Sequence, residues 1–484
     1  MKKLDNFINF ARNKTKTFVY SKFLPVLICL VTLLFWVLDW QMVGFGILVA
    51  IACFLLLTYD DFLPVIPLLF MIPMCFRDSA IAFQRDFTAS IILFAVLFVF
   101  FIIHFIKYPL KKLVVDNFFF VTLLVFATLL LTGVFAGKFE HYFDALDIML
   151  ISGAMPVVIH FLLTNKINFS TNINHRRYFC VCLLSAISLS CLQLLLACIK
   201  IKFYFNEISG SVPGAFCWTN SNNIASLCLL AIPVCLYLMI SSKNWWIYLA
   251  VLILSYACIY ISGSDGVLAT ILCFTPFLLI LFYKHSHVKT KKYLGPLYII
   301  LFSVATLLLA YIVLFNLENG LAYFKRHSSG TGRVYPYTFA LENFLQYPLF
   351  GLGLGEGKYA LDNTMCDIYN VSKIVYNGFY HSTFMHILAC CGIVGIAVYV
   401  LYYIKRIKLL GANDTVLGKF ALFAFAMFAV YSMIDTNEFN IVLLYMTTMI
   451  TVIGSLNKKG NGDKPLPLVY ERKKLSFINN VSRN

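Results

Sequence analysis

The sequence predicts an all-α membrane protein, a polytopic bundle of about 12–14 transmembrane helices. Of its 484 residues, 61% are hydrophobic and only 12% are charged, which is more apolar surface than one soluble core of this length can bury. The apolar residues also fall into runs, most of which reach the roughly 20 residues that a helix needs to cross the hydrocarbon. Composition and run length therefore indicate the same fold class.

Fourteen apolar runs can be counted along the chain. Their approximate centres are Leu30, Leu48, Leu69, Phe98, Val125, Val157, Ser188, Leu230, Leu254, Phe274, Thr306, Cys391, Phe425 and Met446. The third run, Phe62 to Cys75, is short and contains Pro64, Pro67 and Pro73. Because proline interrupts helical hydrogen bonding, this run is kinked, re-entrant or an incomplete crossing.

The basic residues predict how the bundle is oriented, since cytoplasmic loops carry the excess of Lys and Arg. With both termini in the cytoplasm and fourteen crossings, 28 of the 38 basic residues fall inside, some in short connections such as Lys405 to Lys408. The other ten fall outside: Arg77, Arg85, Lys138, Lys200, Lys202, Lys325, Arg326, Arg333, Lys358 and Lys373. This topology accounts for the net charge of +16, so the charge is no argument for nucleic-acid binding.

The sequence divides into five segments with no soluble domain between the runs. They are a basic cytoplasmic amino terminus (1–22), predicted helices 1–11 (23–315), a long extracytoplasmic loop (316–380), predicted helices 12–14 (381–456) and a basic cytoplasmic tail (457–484). The first segment lacks a cleavage site after a short apolar core, which indicates a retained first span. The tail is either a solvated segment that fixes topology or one that contacts anionic headgroups.

Cysteine usage gives little indication of chemistry. Most of the 15 cysteines lie within apolar runs, where cysteine behaves as a small hydrophobic residue. The absence of a CxxC pair or a His/Cys ladder means that neither a metal site nor a cofactor is predicted. Cys217 and Cys366 both fall on the predicted outer face, where they either form a disulfide or remain free thiols.

The outer loop of 65 residues, Asn316 to Tyr380, is far longer than an ordinary connection between helices. Within it, Val334 to Tyr347 places aromatic and aliphatic side chains at helical spacing. These side chains are Tyr337, Leu341, Phe344 and Leu345. The pattern predicts a short amphipathic helix, which either lies at the outer interface or covers the bundle.

Three motifs in and after this loop resemble the signature of the O-antigen ligase and polymerase superfamily. They are Gly332-Arg333, the run Pro348 to Gly355 (PLFGLGLG), and the frame from Tyr380 to Gly395 (YHSTF…GIVG). An earlier segment, Gly210 to Ala225, resembles the family's Gly-x-Phe-x-Asn-x-Asn-x-x-Ala stretch. The resemblance covers about residues 210–395, whereas the first two hundred residues match only as generic spans.

The resemblance implies a membrane glycosyltransferase whose active site lies on the extracytoplasmic face of the cytoplasmic membrane. Its donor would be an undecaprenyl-diphosphate-linked glycan and its acceptor a hydroxyl of another glycan or a glycolipid, with no nucleotide or metal required. Polymerase and ligase remain alternatives, and the oligomeric state stays open. The rival from another class is a flippase for lipid-linked oligosaccharides, although transporters usually place polar, broken helices near the bilayer midplane.

Arg333 and His381 are the catalytic candidates. A guanidinium can hold phosphate oxygens bidentately, so Arg333 suits the donor diphosphate; otherwise it is a surface residue or a partner of Glu342. An imidazole titrates near neutrality and can accept the proton of the acceptor hydroxyl, so His381 suits a general base; otherwise it caps a helix. Tyr380 and Ser382 are supporting candidates because they flank this histidine.

One position departs from the family pattern. Where the family commonly has Ser-Arg-Gly, this sequence has Ser264-Asp265-Gly266. A carboxylate cannot hold a diphosphate, so Asp265 would instead orient a cation or the acceptor hydroxyl. The missing cation is then sought among residues predicted on the outer face: Lys200, Lys202, Arg77 and Arg85. Otherwise the two lysines anchor the chain at the membrane interface, and the two arginines are neutralised by the adjacent Asp78 and Asp86.

Amide and glycine residues complete the candidate set. Asn222 and Asn223 can hydrogen-bond a sugar or a phosphate, or simply cap a helix. Gly351 and Gly353 allow a tight backbone turn, either as a lid over the site or as a purely structural turn. A nucleotide-binding loop is excluded because no strand precedes this run and no Lys-Ser/Thr follows it.

Overall fold

The computed structural model describes residues 2–76, 87–110, 113–134, 141–168, 174–200, 221–286, 334–357, 359–361, 380–413, 415–457 and 464–465. Within these ranges the chain is almost entirely helical, which confirms the predicted all-α class. The α-helices are α1 (Lys2–Val19), α2 (Phe23–Val37), α3 (Gln41–Thr58), α4 (Ile66–Met71), α5 (Phe87–Lys107), α6 (Asn117–Leu130), α7 (Leu146–Met149), α8 (Met155–Asn165), α9 (His175–Lys200), α10 (Ser221–Ser241), α11 (Trp245–Ile261), α12 (Asp265–His285), α13 (Val334–Gln346), α14 (Thr383–Gly411), α15 (Val416–Ser432) and α16 (Ile441–Ser455).

Shorter elements join some of these helices. The 3-10 turns are Leu63–Val65, Pro73–Cys75, Tyr142–Ala145 and Asn437–Phe439, and a π-helical turn, Leu150–Ala154, joins α7 to α8. The third predicted run is therefore broken, since two of these 3-10 turns flank the short helix α4. Leu456–Asn457 and Lys464–Pro465 pair antiparallel after α16.

Every predicted apolar centre that falls on described residues coincides with a helical segment, and only Thr306 falls outside them. Six described helices are long and apolar enough to cross a membrane: α3, α5 from Ala89, α9, α10, α12 and α14. A seventh is possible if the bent pair α1–α2, which turns by 84°, forms one span. Shorter apolar helices occupy most of the remaining centres, so the predicted number of spans stays a prediction.

Buried side chains form two apolar clusters. The larger one joins α2, α3, α9, α10, α15 and α16. The smaller one lies between α6, α13 and α14 and includes Tyr380, Tyr399 and Tyr402. Between membrane helices such close packing supplies most of the attraction, because lipid tails are as apolar as the side chains. The smaller cluster positions the segment that carries the candidate histidine.

Candidate functional site

Helix α14 is interrupted where the sequence alone gives no clear signal. It has 29 residues, more than one crossing needs, and Gly392 within it has φ 63° and ψ −159°. A break of this kind leaves backbone carbonyl and amide groups on either side without their helical partners. Such groups must find other hydrogen bonds if they are shielded from water.

The glycine run Pro348 to Gly355 supplies those partners. Four backbone hydrogen bonds join it to α14: Leu352 N to Ala389 O (2.9 Å), Gly353 N to Cys390 O (3.0 Å), Ile393 N to Pro348 O (2.9 Å) and Val394 N to Leu349 O (3.2 Å). The first two bonds satisfy carbonyls before Gly392, and the other two satisfy amides after it. The run therefore completes the hydrogen bonding of the broken helix.

Gly351 shows why the run needs glycine. Its φ of +70° is a left-handed conformation, and an added Cβ would lie 2.2 Å from the carbonyl carbon of Cys390. Gly353 also has a positive φ, and its Cβ position lies 3.3 Å from Cα of Gly133. Of the two sequence interpretations, this geometry supports the structural turn.

Tyr380 lies at the entrance to α14 and is fully buried. Its hydroxyl accepts a hydrogen bond from Asn343 Nδ2 of α13 (3.0 Å) and donates one to the carbonyl of Gly357 (3.3 Å). Burial raises the pKa of the Tyr380 phenol well above its ordinary value, so the group stays a neutral donor. It joins Gly357, two residues after the glycine run, to α13.

His381 precedes α14 by two residues and is half-buried. Its φ is +50°, a conformation that His, Asn and Asp adopt more readily than other non-glycine residues. Its carbonyl accepts a hydrogen bond from the hydroxyl of Tyr337 in α13 (3.0 Å). The next residue, Ser382, is the N-cap, because its Oγ accepts from the backbone amide of Met385 (3.3 Å). His381 thus lies outside the helix proper, on a turn that α13 holds.

A second element contacts the start of α14: residues 433–440 between α15 and α16, called the 433–440 turn below. The amide and the hydroxyl of Thr383 both donate to the carbonyl of Asp435 at 3.1 Å. The carboxylate of Asp435 accepts from the hydroxyl of Tyr431 (3.0 Å), which lies 3.2 Å from Oγ of Ser264. This chain of contacts connects the Ser264-Asp265-Gly266 departure to the helix that follows His381.

The same turn contacts the start of α10. Oγ of Ser226 lies 3.3 Å from Oδ1 of Asn437 and bonds to the carbonyl of Asn222 (2.9 Å). The ring of Phe439 packs edge-on against His386, with ring centroids 4.7 Å apart. The amino-terminal ends of α10, α12, α14 and α16 therefore meet around the 433–440 turn.

The structure brings some predicted site residues together and leaves others undescribed. Five predicted residues lie on segments that meet around the 433–440 turn, which bonds to Thr383 two residues after His381: Asn222, Asn223, Asp265, Tyr380 and Ser382. Asp265 is exposed. Outside the described residues lie Arg333, Lys202, Arg77, Arg85, Cys217 and Cys366, and the side chain of Lys200 at the end of α9. The predicted helix from Val334 is confirmed as α13.

Sequence analysis missed the 433–440 turn. The sequence signal for this turn is a short polar stretch, Asp435 to Asn440, between two apolar runs. Among the described residues, no group of three or more His, Cys, Asp or Glu side chains could hold a metal ion. The polar side chains around the 433–440 turn are suited to hydrogen bonding and proton transfer.

Fold and site together define a polytopic helical membrane protein in which polar side chains gather where several helices begin. Residues 249–400 match the family model described as O-antigen ligase, which confirms the resemblance inferred from the motifs. The match supports glycan transfer of the O-antigen ligase and polymerase type. It includes Asp265, the glycine run and His381, and ends before the 433–440 turn. No curated protein matches the chain significantly.

Proposed function

We propose that this protein transfers or polymerises a surface glycan from an undecaprenyl-diphosphate-linked donor to an acceptor hydroxyl on the extracytoplasmic face. The observation that carries the proposal is the placement of His381. It lies on a left-handed turn held by Tyr337, directly before the capped end of α14, within the segment similar to O-antigen ligases. The excess of basic residues in the other connections supports the outward orientation.

In this proposal, the imidazole of His381 takes the proton of the acceptor hydroxyl as that oxygen attacks the anomeric carbon. A carbon–oxygen bond forms to the acceptor, and the bond from the same carbon to the phosphate oxygen breaks with inversion. The electron pair of the breaking bond leaves with the undecaprenyl diphosphate. General-base assistance of this kind is typically worth about 10² to 10⁴ in rate.

Arg333 is proposed to hold the donor diphosphate. It is the residue directly before α13, and only four positions along the chain separate it from Tyr337, which bonds to His381. The amino-terminal ends of α10, α12, α14 and α16 add partial positive charge around the 433–440 turn. That contribution supports diphosphate binding where Asp265 replaces the family arginine.

The other predicted cations remain proposals for the donor site: Lys200, Lys202, Arg77 and Arg85. Asp265 is proposed to orient a cation or the acceptor hydroxyl, since its carboxylate is exposed near the same turn. Asn222, Asn223 and Ser382 are proposed as supporting hydrogen-bonding residues. No nucleotide, metal or cofactor enters the proposed reaction.

The rival flippase function gains little from the broken helix. Transporters use broken helices to present free backbone groups to a substrate. Here the groups beside Gly392 are already bonded to the glycine run Pro348 to Gly355. The break therefore serves packing between two segments of the chain, which leaves glycan transfer as the better-supported proposal.

The test uses purified protein in lipid vesicles with a lipid-diphosphate glycan and an acceptor glycan. We expect release of undecaprenyl diphosphate together with a longer or transferred glycan. His381→Asn should abolish single-turnover transfer while donor affinity stays largely intact, because Asn keeps the left-handed turn but cannot act as the base. The matched control is His285→Asn, in the last turn of α12 and about 30 Å from Asp265 along that helix.

Two results would overturn the assignment of His381. One is near-normal transfer by folded His381→Asn. The other is loss of transfer only in proportion to loss of folded protein, which would indicate a capping role. Either result would make Asp265 the next candidate for the base, followed by His327, a second histidine of the predicted outer loop shortly before Arg333.

Arg333→Lys tests the donor site separately. A compact point charge replaces the planar bidentate donor, so we expect folded protein that has lost most transfer at subsaturating donor. Arg333→Ala should lose more. Wild-type turnover by the lysine variant under those conditions would exclude bidentate recognition by this residue.

A further inference from the structure

Arg406 lies in a different environment from the one that its sequence neighbours suggest. The sequence places it among the cations of the basic connection Lys405 to Lys408, whereas its side chain is fully buried at the end of helix α14. Its guanidinium carbon lies 4.5 Å from the ring centroid of Tyr402 and 5.2 Å from that of Phe425. Nη2 donates to Oγ1 of Thr448 (3.3 Å). Arg406 thus contacts α14, α15 and α16 at once.

The charged partner of Arg406 belongs to the 433–440 turn. Oε1 of Glu438 lies 3.8 Å from Nη1 of Arg406, and both side chains are almost completely buried. At this distance the guanidinium and the carboxylate form an ion pair, but the two atoms are too far apart for a hydrogen bond. Three buried atoms of the pair accordingly have no hydrogen-bond partner among the described residues: Nη1 and Nε of Arg406 and Oε1 of Glu438.

A small polar cavity adjoins this pair. It is lined by Glu438, Tyr399, Tyr402 and Ser152, among others, and it has room for about one water molecule. The hydroxyl of Ser152 is also buried without a hydrogen-bond partner within the described part of the chain. Ser152 lies in the π-helical turn Leu150–Ala154, a feature that often marks functional positions. Ser152 and Glu438 therefore line the same small space beside the ion pair.

The turn that Glu438 belongs to also holds the start of α14. Three residues away, Asp435 accepts both hydrogen bonds from Thr383, and the adjacent Phe439 packs on His386. A shift of Glu438 would therefore displace the segment directly after His381. Removing one member of a buried ion pair is strongly unfavourable, so Arg406 limits how far the turn can move.

We propose that Arg406 and Glu438 act as a positioning pair that fixes the 433–440 turn and through it His381. The proposal rests on the proposed function, in which His381 accepts a proton. Arg406 touches neither donor nor acceptor, so its effect is on geometry. A pair that served folding alone would be replaceable by apolar residues with no loss of turnover.

The first test compares Arg406→Met with the double variant Arg406→Met/Glu438→Leu. The single variant leaves a buried carboxylate unpaired, so we expect lower thermal stability and less transfer. The double variant removes both charges, so we expect stability near that of wild type. Its kcat should remain at least about tenfold below wild type, with KM for the donor within about twofold. Wild-type kcat and stability in the double variant would overturn the proposal.

A second variant covers the case in which the apolar pair fails to fold. Glu438→Gln keeps the shape of the side chain and removes its charge. We expect a folded protein with kcat reduced at least about fivefold and KM for the donor nearly unchanged. A wild-type kcat in folded Glu438→Gln would overturn the proposal.

A measurement that needs no transfer separates this inference from the proposed function. Thr436→Cys places a thiol in the 433–440 turn, and its reaction rate with a hydrophilic maleimide can be followed by mass spectrometry of that peptide. We expect Glu438→Gln to change this rate at least about threefold, since a local opening changes exposure. An unchanged rate would refute the positioning role. Absence of transfer by the wild-type protein would instead refute the proposed function, and the labelling result would still stand.

Discussion

Gly351→Ala is the sharpest test of how the glycine run completes α14. The new Cβ would lie 2.2 Å from the carbonyl carbon of Cys390, a distance that real Cβ atoms essentially never show. The obstructing atom is backbone, so no side-chain rotation can relieve the contact. Either the run moves away from the break or α14 shifts.

The expected cost can be estimated from three contributions. A left-handed conformation costs a residue with a Cβ about 1–2 kcal/mol. Displacing the run would weaken the hydrogen bonds from Leu352 to Ala389 and from Gly353 to Cys390, each worth about 1 kcal/mol net. The total is about 3–4 kcal/mol of unfolding free energy.

The assay measures thermal unfolding of the purified protein in detergent. The folded fraction is determined by gel filtration. Gly411→Ala is the matched control, because it ends the same helix and an added Cβ there meets no atom within 4 Å. We expect the control to unfold at or slightly above the wild-type temperature, and Gly351→Ala well below it. Equal midpoints for the two variants would refute the interpretation of the run as a tight structural insert.

Three further predictions concern single hydrogen-bonding groups. Burial raises the pKa of the Asp61 carboxyl, which lies just after α3, to about 6. The protein should therefore lose stability as the pH rises from about 4 through 6, where this carboxyl ionises while buried. Asp61→Asn should flatten that dependence in thermal unfolding, and an unchanged pH profile would contradict this. Tyr431→Phe removes the hydroxyl between Ser264 and Asp435, so transfer should fall severalfold with little loss of stability, as measured by kcat and unfolding temperature. Tyr337→Phe frees the carbonyl of His381, and we expect a lower kcat at unchanged donor affinity; equal effects on both would argue against a role in orienting the histidine.

Much of the fold could be predicted because the position and length of the apolar runs indicate where the helices lie. The stripe of Tyr337, Leu341, Phe344 and Leu345 also predicted α13 to within one residue of its observed end. The break at Gly392 could not be predicted, because a single glycine in an apolar run is a weak signal. Its conformation depends on backbone groups of the distant run Pro348 to Gly355.

The candidate site was predicted only in part for a similar reason. His381 and Asp265 could be proposed as candidates because they fall in segments that resemble family motifs. The 433–440 turn has no motif, and its place beside the candidate site depends on contacts across the bundle. Arg406 was assigned to a basic connection because cations cluster around it in sequence. Its burial follows from partners on three helices, which no local pattern reveals.

The pairing of the glycine run with the broken helix also constrains how the chain can assemble. Backbone groups exposed at the break are costly in lipid, so α14 cannot reach its final form until the run from Pro348 is in place. The run is synthesised first, and the part of α14 around Gly392 leaves the ribosome about 40 residues later. The hydrogen bonds between them can form only after that. Helix α14 and the loop before it should therefore fold as one cooperative unit. A destabilising mutation in either segment should destabilise both.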